Sequence, residues 1–231
     1  IALSKVGPPD VVNWDVGDIR GNFPAGKLVL GIDWGDVGPL AADSNASIIV
    51  GNWGSAMEPG VDRYWDTQAG DWVEAYNQAP FHAFGGWVQS VSTTTESPEC
   101  AFDFAAYMGN QNMSQLLVTY PGSGVNPHFF SDLNNLDPWL AIGMTEEEAT
   151  EYLAAVRDII NHPNAVVDLR ITGAAEYFDA LDTQLARAVA GEVDAQTALD
   201  EVANNWDAIT DRLGRDQQKT QYRQMLGLPT E

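Results

Sequence analysis

The stretch "FHAFGGWVQS", residues 81–90, sets two adjacent glycines, Gly85 and Gly86, directly against Trp87, inside a run that otherwise reads as the start of a strand. Glycine has no Cβ, so the backbone there can bend sharply or approach a ligand closely, and Trp87 stands at the bend. Two readings follow. Either the pair is a plain β-bulge, or it marks a place where the chain leaves one layer for another beside a binding surface.

The sequence changes character just beyond this point. Upstream lie short apolar runs, "KLVLGID" (27–33), "ASIIVG" (46–51) and "GGWVQSV" (85–91), separated by turn-rich segments such as "EPGVDRYWDTQAGDW". They predict short strands and long loops. Downstream, helical periodicity takes over. Ser97-Pro98-Glu99 predicts a helix start with Phe104, Ala105 and Met108 on one face, ending near 109–112. Thr145 and Glu148 have capping-box spacing ahead of the stripe Ala149, Tyr152, Leu153, Val156, Ile159 and Ile160. "AVVDLR" (165–170) reads as a short extended segment. Further helices are expected over about 174–190, from Asp194 to Leu213, and over 216–226, with Gly191, Gly214 and Gly227 as stops. Strands followed by an interrupted helical half imply an α/β architecture in which the chain crosses between layers more than once.

Bulk properties narrow the function. The 231 residues are 45% hydrophobic and 10% aromatic, enough for a packed core. With 33 acidic against 11 basic residues the formal net charge is −22, which repels nucleic acid and anionic membrane surfaces. Cys100 is the single cysteine, so no internal disulfide or thiolate cluster can form; on the first turn of its helix it reads as a buried small hydrophobe. No apolar run is long enough to span a bilayer. The opening "IALSKVGPPDVVNWDVGD" has no capped element ahead of it, and a preceding portion of a larger protein is expected.

Tryptophan placement is the main chemical signal. Six of the eight, Trp14, Trp34, Trp53, Trp65, Trp72 and Trp87, fall within the first 87 residues, mostly beside Gly or Asp. An indole open on one face, with carboxylates such as Asp33 and Asp36 nearby, suits a polyhydroxylated ligand whose C–H face stacks while its hydroxyls donate. Ordinary packing accounts for any one of them alone. Asp33 and Asp36 flanking Trp34 could instead be a carboxylate pair for glycoside hydrolysis, although two acids three apart in so acidic a chain do not establish one. His82, His128 and His162 show no metal-ligand spacing, and "GSG" (122–124) lacks the flanks of a nucleophile elbow or phosphate loop and reads as a turn.

Several segments, in order, resemble the extracellular solute-binding proteins of ABC importers, in the sugar-binding group that includes maltose-binding protein. "FPAGKLVLGIDWGDVGPL" is similar to the family's segment with a small residue, a methionine and a cleft tryptophan. "APFHAFGGWVQSV" resembles its "GGW" strand entering the hinge, and "SPECAFDFAAYMGNQNMSQLL" the helix after it. "GSGVNPHFF" resembles a loop of small residues and proline, and "RITGAAEYFDALDTQLARAVAGEVDAQTALDEVANNWDAI" the closing helices.

The resemblance covers the family's later half. It implies a class II periplasmic-binding-protein-like fold, two lobes with a hinge and mostly the second lobe present. Residues 1–86 would form part of the second lobe, 87–128 the hinge crossing and part of the first lobe, and 129–231 the helical layer of the second. The ligand contacts it implies are Trp34, Asp36, Gly86, Trp87, Asn126, Arg170 and Tyr177. It also implies a periplasmic or extracellular protein that binds a sugar, oligosaccharide or polyol without chemistry, cofactor or metal. Its partners would be a membrane permease and the missing N-terminal portion. The reading from another class is a secreted glycoside hydrolase using Asp carboxylates.

Overall fold

The computed structural model describes residues 5–83 and 86–230, so Gly85 of the glycine pair lies outside the described residues. The protein is helix-rich α/β with small sheets. It divides into two compact units, Asp15–Asp168 and Ile1–Trp14 together with Leu169–Glu231.

In Asp15–Asp168, α1 (Val16–Asn22) starts at a capping box in which Asp15 accepts from Gly17 N at 2.7 Å and Asp18 accepts from Asp15 N at 2.9 Å. Helix α2 (Val37–Ala42) follows. Strands β1 (Tyr64–Asp66) and β2 (Asp71–Val73) form an antiparallel hairpin in register Trp65 to Trp72. A two-residue strand β3 (Phe81–His82) pairs in parallel with β4 (Val166–Val167), the extended piece expected at 165–170.

Between them run α3 (Pro98–Met108), α4 (Gln111–Thr119), α5 (Phe130–Asn134), α6 (Asp137–Ala141) and α7 (Glu146–Ile160). Thr145 caps α7 as its spacing predicts: its hydroxyl accepts from Glu148 N at 3.1 Å and Glu148 accepts from Thr145 N at 2.9 Å. The α7 stripe supplies Ala149, Tyr152 and Leu153 to a core with Ala42, Val118, Leu133, Trp139 and Met144. Trp139 is completely buried, and its Nε1 donates to Asp132 O at 3.0 Å.

The other unit is a helical layer of α8 (Ala174–Val189), α9 (Ala195–Leu213) and α10 (Arg215–Met225). Asp194 caps α9 by accepting from Thr197 N at 2.9 Å, and these hydrogen bonds hold its carboxyl below the ordinary range. Ala198 and Val202 are the buried residues of α9.

Four expectations are corrected. The runs 27–33, 46–51 and 86–91 form no strand among the described residues, and Val29, Leu30, Ile32, Trp87 and Val88 are exposed. A strand needs a neighbour to accept and donate along its edge, and these have none. The strands that do form at 64–66 and 71–73 lie in a segment read as turn-rich, because "TQAG" closes a hairpin there. Phe104 does not face a core, since no residue of α3 is buried, and Cys100 is exposed. No described helix is long and apolar enough to cross a membrane.

Candidate functional site

The site is built around the turn at 33–38. Helix α1 carries Arg20 in its last turn, and the guanidinium reaches Asp36 Oδ1 at 2.7 Å and Asp33 Oδ1 at 3.3 Å. It also lies 5.6 Å from the Trp34 ring centroid, within cation–π range. Asp33 Oδ1 accepts from Trp34 N at 2.6 Å and Trp34 Nε1 donates to Ala83 O at 3.4 Å, so the indole is fixed at both ends of its residue. Both carboxylates thus converge on one cation. A hydrolytic pair must instead face each other across a scissile bond.

Asp36 is 3% exposed and its Oδ2 has no hydrogen-bond partner among the described residues. Burial pushes its carboxyl above the ordinary range, against the opposing pull of Arg20. Beside it, Tyr152 is 2% exposed, its hydroxyl unpartnered and pushed up by burial and then by the Asp36 charge. The Tyr152 ring sits between two indoles, 5.0 Å from Trp139 and 6.4 Å, edge-on, from Trp53.

Asn126 joins them. A Cβ added to Gly35 would lie 2.9 Å from Asn126 Oδ1 and 3.4 Å from the Tyr152 hydroxyl, so a side chain there would push Asn126 aside. The loop that delivers Asn126 also holds Trp87, whose Nε1 donates to Gly124 O at 2.6 Å while the ring stays 79% exposed. Gly86 before it has φ +109°, a conformation other residues rarely adopt.

Trp34, Asp36, Gly86, Trp87 and Asn126 therefore belong to one unit, with Trp34, Asp36 and Asn126 gathered about Gly35. Arg170 and Tyr177 belong to the other. Arg170 is exposed, and its backbone N–H donates to Met225 Sδ at 3.1 Å. Tyr177 packs edge-on to Trp206 at 6.0 Å with its hydroxyl 2.8 Å from Thr210 Oγ1, so ring and hydroxyl are both engaged within the helical layer. Between α8 and α9 that layer also has an open groove of about 480 Å³, which Glu176, Asp179, Asn205 and Arg212 help to line; none of the residues singled out in the sequence lines it.

The six early tryptophans do not act as one surface. Trp65 and Trp72 pair with each other across the hairpin, edge-on at 5.9 Å, with Arg63 4.8 Å over Trp72. Trp14 belongs to the other unit. Among the described residues no cluster of His, Cys, Asp and Glu could hold a metal ion.

Sequence reasoning missed Tyr152 as a site residue and named Trp53 only as one of the six early tryptophans. Tyr152 stood out only as a stripe position in α7, and the hydroxyl it brings inward carries no periodic signal. No family model, curated protein or solved structure was found to match the chain.

Proposed function

We propose that this chain is part of the substrate-binding component of an ABC importer, holding a sugar, oligosaccharide or polyol without covalent chemistry in a cleft between two lobes. The observation that carries this reading is the gathering of Trp34, Asp36 and Asn126 about Gly35. There Trp34, its indole held by Ala83 O and covered by Arg20, is next in sequence to Gly35, against which Asn126 packs, and Asp36 Oδ2 and Asn126 Oδ1 are buried without a partner among the described residues. Stacking on the ring with hydrogen bonds to such atoms is how polyhydroxylated ligands are recognised.

The exposed apolar runs fit the same reading. Val29 is 95% and Val88 87% exposed, and large apolar side chains left this open suit a covering partner. A further portion of the protein completing the first lobe would cover them. With it go the division at 1–86, 87–128 and 129–231, a hinge at Gly86, a periplasmic or extracellular location and a permease partner. A ligand contacting both lobes would shift the equilibrium toward closure by its differential affinity for the closed state.

Titration of neutral sugars and polyols followed by tryptophan emission tests this, with released reducing ends assayed in the same mixtures. Saturable binding without turnover, weakened about tenfold by Trp34→Ala, is the expected result. Turnover would instead favour the hydrolase.

A further inference from the structure

In the helical layer, Glu176, Asp179 and Ala180 fall on one face of α8, and Asn205, Ala208, Ile209 and Arg212 fall on one face of α9, all at helical spacing. Between these faces lies the open groove of about 480 Å³, a volume within the range of small-ligand sites. The hollow follows from residue size. Ala180 and Ala208 are too short to fill the space between two packed helices, and Ile209 beside them is apolar. Arg212 pairs with Glu176, which ties the end of α9 to the start of α8. From Arg212 to Asn205 the groove follows α9 for about 10 Å of its axis.

The charges of the lining select the ligand. Arg212 Nη2 donates to Glu176 Oε2, so these two side chains are engaged with each other. Asp179 and Asn205 have no side-chain hydrogen bond or ion pair among the described residues. The groove therefore holds an uncommitted carboxylate beside an uncommitted amide. An anion would meet the Asp179 charge with no free cation in the described lining to hold it. A neutral apolar molecule would take water from Asp179 and return nothing. Quaternary ammonium groups are held by aromatic faces, and none of the described lining residues is aromatic. A primary ammonium brings a full charge and three N–H donors, which Asp179 and the Asn205 amide oxygen can accept, while its alkyl stem covers Ala208 and Ile209.

We propose that the groove between α8 and α9 binds a primary alkylammonium, its charge on Asp179 and Asn205 and its chain along Ala180, Ala208 and Ile209. Asp179 is exposed, so the affinity falls as salt is added. Every residue involved belongs to the helical unit, and binding there requires neither the sugar site nor a second lobe.

Pentylamine, pentanoate, pentanol and choline are titrated into the isotope-labelled 231-residue chain, followed by NMR shifts of the Asn205 side-chain amide and of the α8 and α9 backbone. The same titrations are run on Asp179→Asn, on Ala208→Leu, which fills the hollow without altering charge, and on Glu146→Gln, which removes a like charge from the first turn of α7 in the other unit. Pentylamine is expected to saturate with its shifts centred on the groove. Its affinity should fall about tenfold in Asp179→Asn and in Ala208→Leu and stay unchanged in Glu146→Gln. Melting temperatures verify the fold of each variant; if Ala208→Leu melts lower than the parent, Asp179→Asn against Glu146→Gln decides. Equal weakening in those two would show diffuse attraction to a molecule of charge −22 and overturns the site. Unchanged affinity in Asp179→Asn, shifts outside α8 and α9, or no saturable response overturns it as well. Pentanoate, pentanol or choline binding as tightly as pentylamine overturns the ligand class.

Discussion

Arg20 Nη2 holds one oxygen of Asp36 at 2.7 Å, while the other oxygen of the same buried carboxylate has no partner among the described residues. Asp36 is thus half-satisfied, tied to the fold by Arg20 on one side and open on the other. Removing the cation would strand a carboxylate in a place that water hardly reaches. Arg20→Ala is expected to lower unfolding free energy by roughly 3 kcal/mol near neutral pH. Urea unfolding measures it, and the deficit should shrink in acid as Asp36 loses its charge.

Asp36 itself makes stability depend on pH with a defined sign. Burial raises its folded-state pKa above the unfolded value, so the native protein retains a proton the unfolded chain has released. Its contribution is fully present below the ordinary carboxylate range, about pH 4, and is lost as pH rises through the folded pKa. Asp36→Asn cannot ionise. Its stability relative to the parent should therefore rise as pH increases from about 4 to 7, read from urea midpoints at several pH values.

The cap of α7 gives a simpler case. Thr145→Ala removes the hydroxyl that accepts from Glu148 N and should cost about 1 kcal/mol of stability. Thr145→Ser keeps the oxygen and should recover most of it, both measured by denaturant unfolding.

That cap also shows which parts of the fold were legible. Helices α7, α8, α9 and α10 were marked by Thr145, Gly191, Asp194 and Gly227, because a cap is a local hydrogen-bond problem that its own residues solve. The runs "KLVLGID" and "GGWVQSV" carry strand composition, yet a strand is completed by its neighbour, and composition does not say whether one is there. At the site, Trp34 and Asp36 were visible as neighbours in sequence. Their meeting with Tyr152, which packs against Gly35, depends on α7 folding back across more than a hundred residues. No local pattern encodes that approach.

Cys100 offers a direct check on α3. With its side chain exposed and no residue of that helix buried, the thiol should react with a disulfide reagent in the native protein, without denaturant, to one equivalent per chain. Slow or partial labelling until urea is added would mean that this helix face is covered.

The bare apolar edges at Val29–Ile32 and Trp87–Val88 give the charge of −22 a second significance. Open backbone flanked by such side chains is a template on which another copy could pair, and mutual repulsion between strongly anionic molecules holds copies beyond reach. Salt weakens that protection, since the screening length falls from about 10 Å at 0.1 M to about 3 Å at 1 M. Isolated chains are therefore expected to stay dispersed in dilute buffer and to self-associate as ionic strength climbs, which light scattering across a salt series would reveal.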